Sequence, residues 1–286
     1  MRSIATKALA DTFAGSGSGY GSDEDPELVK GAVPFALKTM EQVLAEQPRH
    51  LGLLTALAGG FTQYGYAFVQ QDADMLEERD AALGREEQAR ARKLYLRARE
   101  YGLRGLELRH PGLRAALLGG NVDGRNAALG ACTKEDVALM YWTGAPWTLA
   151  IAADKNDMNM VGQLPAVEAL MLRALAIDEA WGAGSLHEFF VAYDGSRSEA
   201  EGGGPAKAKA HLERALALAQ NKRLGVIVSY AEAVTVGAQD RKEFTRLLEQ
   251  VTAADIDKAP EERLANLVAQ RRARWLLART GELFAE

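Results

Sequence analysis

Residues that cross-link a chain or ligate a metal are scarce in this sequence. Among 286 residues there are one cysteine, Cys132, and four histidines. A single cysteine excludes an intrachain disulfide and a zinc site built from several thiolates. The histidines, His50, His110, His187 and His211, are scattered, with neither the i, i+4 spacing of a helical metal pair nor an HExxH motif. We therefore predict neither a metal site nor a bound cofactor.

An excess of positive charge is also missing. The 34 basic residues are outnumbered by 39 acidic ones, which gives a formal net charge of −5. This balance argues against a general affinity for nucleic acid or for an anionic membrane. Nucleic acid is therefore not among the predicted partners.

Long apolar runs are absent as well. No continuous apolar run approaches the roughly 20 residues that span a bilayer. The opening segment MRSIATKALADTFAG has early positive charges but lacks the apolar core that a signal peptide needs. Either the protein is cytoplasmic, or its export signal lies outside the printed chain.

Catalytic motifs are missing too. The stretch GSGSGYG (residues 15–21) does not match GxGxxG, contains no GK[ST] and follows no predicted strand, so it is not a phosphate loop. His187 and Glu188 are adjacent, and adjacent side chains on a helix point about 100° apart, which makes them a poor acid–base pair. We therefore expect no enzymatic activity.

What the sequence does contain is helical periodicity. The best strand candidate, GVIVSY (225–230), is followed by AEAV, which extends it at helical spacing. Elsewhere apolar residues recur at i, i+3, i+4 and i+7, the pattern of amphipathic helices, with short Gly- and Pro-rich connections. The sequence predicts an all-α fold.

The helices carry a ladder of small and large residues. A tetratricopeptide hairpin places a small residue in its second helix, a larger one four later, a small one three further on and a stop five beyond. Small residues at these positions let neighbouring helices approach closely, and the bulky residue fills the groove between them. The matches are Ala36, Met40, Val43 and Pro48; Ala98, Gly102, Gly105 and His110; Val167, Met171, Ala174 and Glu179; and Ala208, Leu212, Ala215 and Gln220.

These ladders predict the architecture. We expect degenerate tetratricopeptide-like hairpins stacked into one superhelical domain over residues 1–286, with a central groove or tunnel. Residues 1–25 would form an N-terminal helix and a Gly/Ser-rich turn, and residues 72–93 a charged helical extension with an i, i+4 pair of Glu86 and Arg90. A plain helical bundle is the alternative.

Several segments between the ladders resemble one family. In chain order they include GFTQYGYAFVQ, ARKLYLRAREYGLRGLELRHPGL, MYWTGAPWTLAI, GSLHEFFVAYDG, VSYAEAV and LANLVAQRRARWLL. Together they resemble the TatT family, the tetratricopeptide-like T component associated with TRAP (tripartite ATP-independent periplasmic) transporters. The resemblance covers about residues 8–284, nearly the whole chain.

The resemblance implies a periplasmic all-α protein without catalytic activity. It also implies association with the periplasmic solute-binding component, a homotrimeric assembly, and a hydrophobic channel through each protomer. Members of the family are commonly lipoproteins. This chain departs from that pattern because Met1 opens on a mature-like segment without a lipobox cysteine, so we expect the signal or anchor to lie outside it.

Aromatic residues beside the hairpins are candidates for lining the interior. In FTQYGYAFVQQ, Phe61, Tyr64 and Phe68 share one helical stripe, and a wall that is half apolar and half polar explains Tyr and Gln inside a helix. In MYWTGAPW, Trp142 and Trp147 come on either side of a proline that breaks or kinks a helix and so turns indole faces towards a cavity. Core packing also explains both segments and is the commoner case.

A histidine-containing segment gives further candidates. SLHEFFVAY contains His187 beside Glu188, which we expect to form a buried polar pair linked to SYAEAV through Tyr230 or Glu232. We include His187, Phe190 and Tyr230 among the lining residues.

The C-terminal helix supplies the candidate for an anionic group. AQRRARWLLAR concentrates arginines around Trp275, and guanidinium groups match the geometry of a carboxylate. Because TRAP substrates are commonly organic acids, Arg271 and Arg274 are predicted ligand contacts. A solvated terminal cap is the alternative.

These observations lead to one preferred function. We expect a non-enzymatic periplasmic protein of a TRAP-type system that binds the solute-binding component. Its internal channel would hold a hydrophobic or organic-acid small ligand, with burial of apolar surface supplying about 25 cal/mol per Å². The alternative is a cytoplasmic tetratricopeptide scaffold that binds a peptide or protein partner in its concave groove.

Overall fold

The structure is a computed structural model that describes residues 10–12 and 19–285. These residues form helices, turns and connections and contain no β-strand, so the all-α prediction is confirmed. Residues 10–12 are helical. The rest of the N-terminal helix and turn predicted over 1–25 lies largely outside the described residues.

The chain divides into two compact units. Unit 1 comprises Met1–Ser18 and Glu27–Asp178, and unit 2 comprises Gly19–Pro26 and Glu179–Glu286. The helices that build unit 1 are α1 (Pro26–Glu46), α2 (Leu51–Tyr64), a π-helix (Gly65–Gln70), α3 (Gln71–Glu77), α4 (Ala81–Arg109), α5 (Leu113–Leu118), α6 (Val122–Gly130), a 3-10 turn (Lys134–Asp136), α7 (Val137–Ala152), α8 (Met158–Val161) and α9 (Leu164–Ile177).

Unit 2 is built from shorter helices. They are α10 (Ser185–Gly195), α11 (Pro205–Leu218), α12 (Gly225–Tyr230), a second π-helix (Ala231–Thr235), α13 (Arg241–Ala253), α14 (Arg263–Ala278) and α15 (Thr280–Leu283), with 3-10 turns at Trp181–Ala183, Glu199–Glu201, Ile256–Lys258 and Pro260–Glu262. The helices α10 and α11 form a closely packed hairpin, and α12, α13 and α14 pack together around Val228, Phe244 and Ala273.

Helix α4 is the centre of unit 1. Its buried side repeats small residues every seven positions, at Gly84, Ala91, Ala98 and Gly105. Residues at this spacing lie on one face of a helix, and their small side chains let neighbours approach. Helices α2, α3 and α7 pack against α4 as a result.

The approach of α7 to α4 is especially close. A Cβ atom built on Gly105 would lie 2.6 Å from Leu139 Cδ2, and one on Gly102 would overlap Thr143. Gly102 and Gly105 are both ladder positions. The prediction that small residues there permit close helix packing is therefore confirmed for this pair.

The other ladders agree with the structure in part. In the second, third and fourth ladders the helical residues are all buried, and each helix ends within two residues of the predicted stop. In the first ladder Ala36 and Met40 are half-buried. The assignment of these hairpins to one tetratricopeptide-like domain over 1–286 stays a prediction.

The charged stretch 72–93 contains the end of α3, a turn and the start of α4. The Asp80 carboxylate accepts the first backbone N–H groups of α4 at 3.1 Å, which caps that helix. The expected Glu86–Arg90 pair is wrong. Arg90 instead pairs with Glu87, with 2.9 Å between the guanidinium and the carboxylate.

One segment has the composition of a membrane-spanning helix. Within Met158–Ile177, 18 consecutive residues have a mean hydropathy of 1.4, and it is the one such segment found in the described part of the chain. It contains Gln163, Glu168 and Arg173, so it is not a continuous apolar run of the kind that the sequence lacks. The segment is interrupted between α8 and α9, and Val167, Met171 and Ala174 are buried on the side where α9 packs against α7. Core helices commonly have the same composition.

Candidate functional site

The predicted aromatic stripe of unit 1 runs into a π-helix. Phe61 and Tyr64 lie in the last turn of α2, and Phe68 lies within the π-helix. The backbone N–H of Gln71 bonds the carbonyl of Tyr66 five residues earlier, which widens this turn. π-Helices are rare and are frequently found at functional sites.

The stripe is packed against α4. Phe61, Tyr64 and Phe68 are 3%, 8% and 4% exposed. The Phe61 ring stacks on Tyr101 with 6.0 Å between centroids, and the Arg97 guanidinium lies 5.3 Å from the Phe61 centroid. The stripe is a buried aromatic wall in this structure.

A second π-helix occupies a corresponding place in unit 2. It follows Tyr230 as the first π-helix follows Tyr64. The segments YGYAF (64–68) and YAEAV (230–234) share a tyrosine, a small residue, a variable residue, an alanine and an apolar residue. Hydrophobic periodicity did not reveal these turns, because one widened turn barely changes the helical pattern. The two segments share this five-residue pattern, but the pattern by itself does not indicate a π-helix.

The two tryptophans of α7 have different surroundings. Of the break or kink expected at Pro146, the break is wrong, because α7 continues through this residue. Trp147 is fully buried and donates its indole N–H to Gln163 Oε1 at 3.0 Å. Trp142 is half-buried, and its ring packs on Gly59 of α2, where a Cβ would lie 3.1 Å from it.

Beside Trp147 lies Arg99, which the sequence analysis did not select. Its guanidinium carbon is 5.2 Å from the centroid of the Trp147 ring. Its Nη1 lies 3.4 Å from both Met160 Sδ and Gln163 Oε1, the second a long distance for an oxygen acceptor. Its buried Nε has no hydrogen-bond partner among the described residues. Burial lowers the pKa of Arg99. The sequence pattern does not distinguish Arg99 from the other arginines of α4.

In unit 2, His187 belongs to a chain of polar side chains. Its Nε2 lies 3.1 Å from Glu179 Oε2, and its Nδ1 lies 2.8 Å from Nδ1 of His211. His211 Nε2 lies 3.6 Å from Asp194 Oδ2. Phe190 stacks on the His211 ring with 5.1 Å between centroids. Burial, with a smaller contribution from His187, lowers the pKa of His211 to about 4.

The α10–α11 hairpin brings His187 and His211 together, although the two are far apart in the sequence. The side-chain hydrogen bonds of His187 go to Glu179 and His211, so the expected link to Tyr230 or Glu232 is wrong. Tyr230 is half-buried and packs against the core of unit 2.

Glu188 has different neighbours from His187. Its Oε1 would lie 3.2 Å from a Cβ built on Gly225 of α12. Burial raises the pKa of Glu188, and the charge of Arg223 opposes this. The two adjacent side chains therefore do not form an acid–base pair.

The arginines of α14 take unequal roles. Arg272 pairs with Glu232 of the second π-helix at 2.6 Å, and its guanidinium carbon is 4.2 Å from the Trp275 ring centroid. The two arginines predicted to contact a ligand are Arg271, which is half-buried, and Arg274, which is exposed. The strongest contacts of this arginine cluster therefore go to the protein itself.

A group of metal-ligating side chains lies at the end of α4. The ligand atoms of His110, Cys132 and Asp136 lie within 4.8 Å of one another. Asp136, however, already accepts hydrogen bonds from Arg109 Nε at 2.8 Å and Thr133 N at 2.8 Å, and it lies 2.9 Å from His110 Nε2. Burial raises the pKa of Cys132 to about 11. A neighbouring guanidinium and a protonated thiol disfavour a divalent cation, so this group fits a structural junction better.

The predicted lining residues fall into separate sets. Phe61, Tyr64, Phe68, Trp142 and Trp147 belong to unit 1, and His187, Phe190, Tyr230, Arg271 and Arg274 belong to unit 2. A shallow, open depression along α13 is lined by Arg241, Lys242, Thr245, Arg246 and Glu249. None of the predicted lining residues borders it. Their role as a ligand surface stays a prediction.

Comparison with known proteins gives two matches. A family model described as TRAP transporter T-component matches residues 22–284. A protein of Treponema pallidum (strain Nichols), whose name is simply "Uncharacterized protein", is 28% identical over 267 residues, which cover 93% of this chain and 83% of that relative.

Proposed function

Because the chain belongs to the TRAP transporter T-component family, we propose that it is a non-enzymatic periplasmic component of a TRAP system that binds the solute-binding protein. A role in TRAP transport follows from the family. The partner, the compartment and the absence of catalysis are our proposal. The observation that carries it is the family match over residues 22–284.

The helical architecture supports a binding role. The described residues form packed helices around small-residue contacts, an arrangement that presents extended surfaces to partners. Neither His187 with Glu188 nor the His110–Cys132–Asp136 group has the geometry of a catalytic centre. These observations favour recognition over chemistry.

We further propose that the chain binds a hydrophobic or organic-acid small molecule. The buried stripe of Phe61, Tyr64 and Phe68 ends in a π-helix, and a π-helix breaks the regular hydrogen-bond ladder where a ligand is commonly held. The equivalent turn after Tyr230 in unit 2 supports the same role. Apolar burial would supply most of the affinity, and a few polar groups would orient the ligand.

Binding to the partner is tested with purified proteins. The solute-binding protein encoded beside this chain in its genome is mixed with it and examined by analytical ultracentrifugation. We expect the two proteins to form a complex at micromolar concentrations. A solute-binding protein from an unrelated TRAP system should not bind under the same conditions. The same experiment reports whether the free chain sediments as a trimer. A mixture that sediments as two separate species would overturn the partnership.

The compartment and the ligand need separate tests. Fractionation of the native cells should place the protein in the periplasmic fraction, and recovery only with cytoplasmic markers would favour the peptide-binding scaffold. Mass spectrometry of an organic extract of the denatured protein should recover an apolar or carboxylate molecule. An extract indistinguishable from that of a control protein would count against the ligand.

A further inference from the structure

A cation without a counterion lies in the interior of unit 1. Three arginines in this region, Arg92, Arg99 and Arg114, belong to or pack beside α4. Arg92 pairs with Asp157 at 2.6 Å, and Arg114 forms a two-point pair with Glu100 at 2.5 and 3.0 Å. No carboxylate among the described residues forms an ion pair with Arg99. Arg99 is thus the member of this group whose charge is not matched.

The contacts of Arg99 are weak substitutes for an anion. A guanidinium has five N–H donors. In Arg99, one nitrogen makes two contacts of 3.4 Å, to the thioether of Met160 and the amide oxygen of Gln163. A thioether is a poor acceptor, and the contact to the Gln163 oxygen is longer than an ordinary N–H···O hydrogen bond. The buried Nε has no acceptor in the described part of the chain.

The surroundings hold Arg99 in place without neutralising it. The Trp147 ring supports one face of the guanidinium at 5.2 Å. The indole N–H of Trp147 fixes Gln163 Oε1 at 3.0 Å, and the Asp157 carboxylate caps α8 by accepting the Met160 N–H at 3.1 Å. The donor is therefore positioned in advance, as expected for a binding site.

We infer that Arg99, supported by Trp147 and Gln163, binds the carboxylate of a small organic acid. The carboxylate displaces the flexible Met160 thioether and accepts two hydrogen bonds from the guanidinium fork. Arg99 is half-buried, so part of it remains open to solvent. Because Arg92 and Arg114 are already neutralised by their partners, one net positive charge is available. A monocarboxylate matches that charge better than a phosphate dianion.

This inference rests on the proposed ligand-binding function and specifies it. It places the anionic group of the ligand in unit 1, rather than at the predicted Arg271 and Arg274 of unit 2. In the arginine cluster of unit 2, the charge of Arg272 is matched by Glu232 at 2.6 Å.

The test compares two arginines that lie seven residues apart on one helix. Arg99→Met keeps the unbranched stem over Trp147 and removes the charge, and Arg92→Met does the same where a carboxylate partner exists. Butanoate and octanoate are the probes, with butyramide and octanamide as neutral isosteres, at constant ionic strength. Binding is measured by calorimetry and by the shift in melting temperature.

We expect the carboxylates, but not the amides, to bind the wild-type protein and raise its melting temperature. Arg99→Met should lose roughly tenfold or more in affinity, the range for a charge-assisted hydrogen bond. Arg99→Lys should retain only part of the affinity, because an ammonium group cannot donate two parallel hydrogen bonds to a carboxylate as a guanidinium does. Arg92→Met should lose less affinity than Arg99→Met, because it keeps the guanidinium of Arg99, and it should melt at a lower temperature, because it leaves Asp157 unpaired. Arg99→Met without ligand should be at least as stable as the wild type.

The outcomes separate this inference from the proposed function. If butanoate and octanoate bind Arg99→Met as well as the wild type, or bind neither, the carboxylate site at Arg99 is overturned. Equal binding of phosphate and butanoate would also overturn the choice of a carboxylate. Complex formation with the solute-binding protein is measured on the same variants. Its retention would leave the transport role intact even if the Arg99 site is rejected.

Discussion

At the scale of single residues, the packing of α4 against α7 depends on a glycine. A methyl group at Gly102 would overlap the Thr143 side chain and approach its Cα atom to 3.1 Å. We expect Gly102→Ala to lower the free energy of unfolding by about 1–3 kcal/mol, the usual cost of overpacking. Urea unfolding followed by circular dichroism measures it.

Gly31 supplies the matched control for Gly102. It lies in the middle of α1, and no described heavy atom comes within 4 Å of a Cβ built there. Gly31→Ala should therefore stabilise the protein by about 0.5–1 kcal/mol, because alanine is the better helix former. If both alanines stabilise, the contact between α4 and α7 is looser than the structure indicates.

A second residue-scale prediction concerns His211 and pH. Burial and the neighbouring His187 lower the pKa of His211 from 6.5 to about 4. Lys207 opposes protonation as well, while Asp194 lies 3.6 Å away on the other side. The folded state therefore prefers the neutral ring. Its contribution to stability is complete above pH 6.5 and is lost as the pH falls from 6.5 towards 4.

The variant His211→Gln should remove this pH dependence. Between pH 7 and 4.5 the wild type should lose about 1–2 kcal/mol more than the variant, a figure reduced for the partial exposure of the ring. Urea midpoints at pH 7, 5.5 and 4.5 provide the measurement. Parallel pH profiles for the two proteins would show that His211 titrates as it does in the unfolded chain.

At the scale of elements, a hydrogen bond from Tyr95 of α4 supports the first π-helix. Tyr95 donates its hydroxyl to Gln70 Oε1, the last residue of that π-helix, at 2.5 Å. We expect Tyr95→Phe to speed amide hydrogen exchange over residues 65–71, because a wide turn with weaker backbone bonds relies on such support. Mass spectrometry of exchanged peptides checks it.

Tyr101 is the control for Tyr95. It lies on the same helix and donates its hydroxyl to Glu41 of α1 at 2.6 Å rather than to the π-helix. Tyr101→Phe should therefore leave exchange over 65–71 unchanged while loosening α1. Equal protection of 65–71 in all three proteins would mean that the π-helix is held by its own backbone.

Some features of the helices could be predicted from the sequence, and others could not. Helix type, the ladder positions Gly102 and Gly105 and the ends of three ladder helices follow from local spacing, and these predictions agree with the structure. The π-helices, the His187–His211 contact and the unmatched charge of Arg99 do not follow from it. Each depends on which residues of distant helices meet, and helical periodicity contains no information on such pairings.

At the scale of the whole molecule, the single cysteine reports on the integrity of unit 1. Cys132 is 2% exposed, and burial raises its pKa to about 11. The thiolate is the reactive form, so the folded protein should react very slowly with Ellman's reagent at pH 8. In 6 M guanidinium chloride the thiol should react completely within seconds.

The dependence of this reaction on urea identifies the opening that exposes Cys132. Because the thiol lies beside Asp136 at the junction of α4 and α7, we expect its exposure to require opening of unit 1 as a unit. The logarithm of the labelling rate should then rise linearly with urea, with a slope close to that of global unfolding. A rate independent of urea would show that the junction opens locally, and rapid labelling in native buffer would contradict the burial of Cys132 itself.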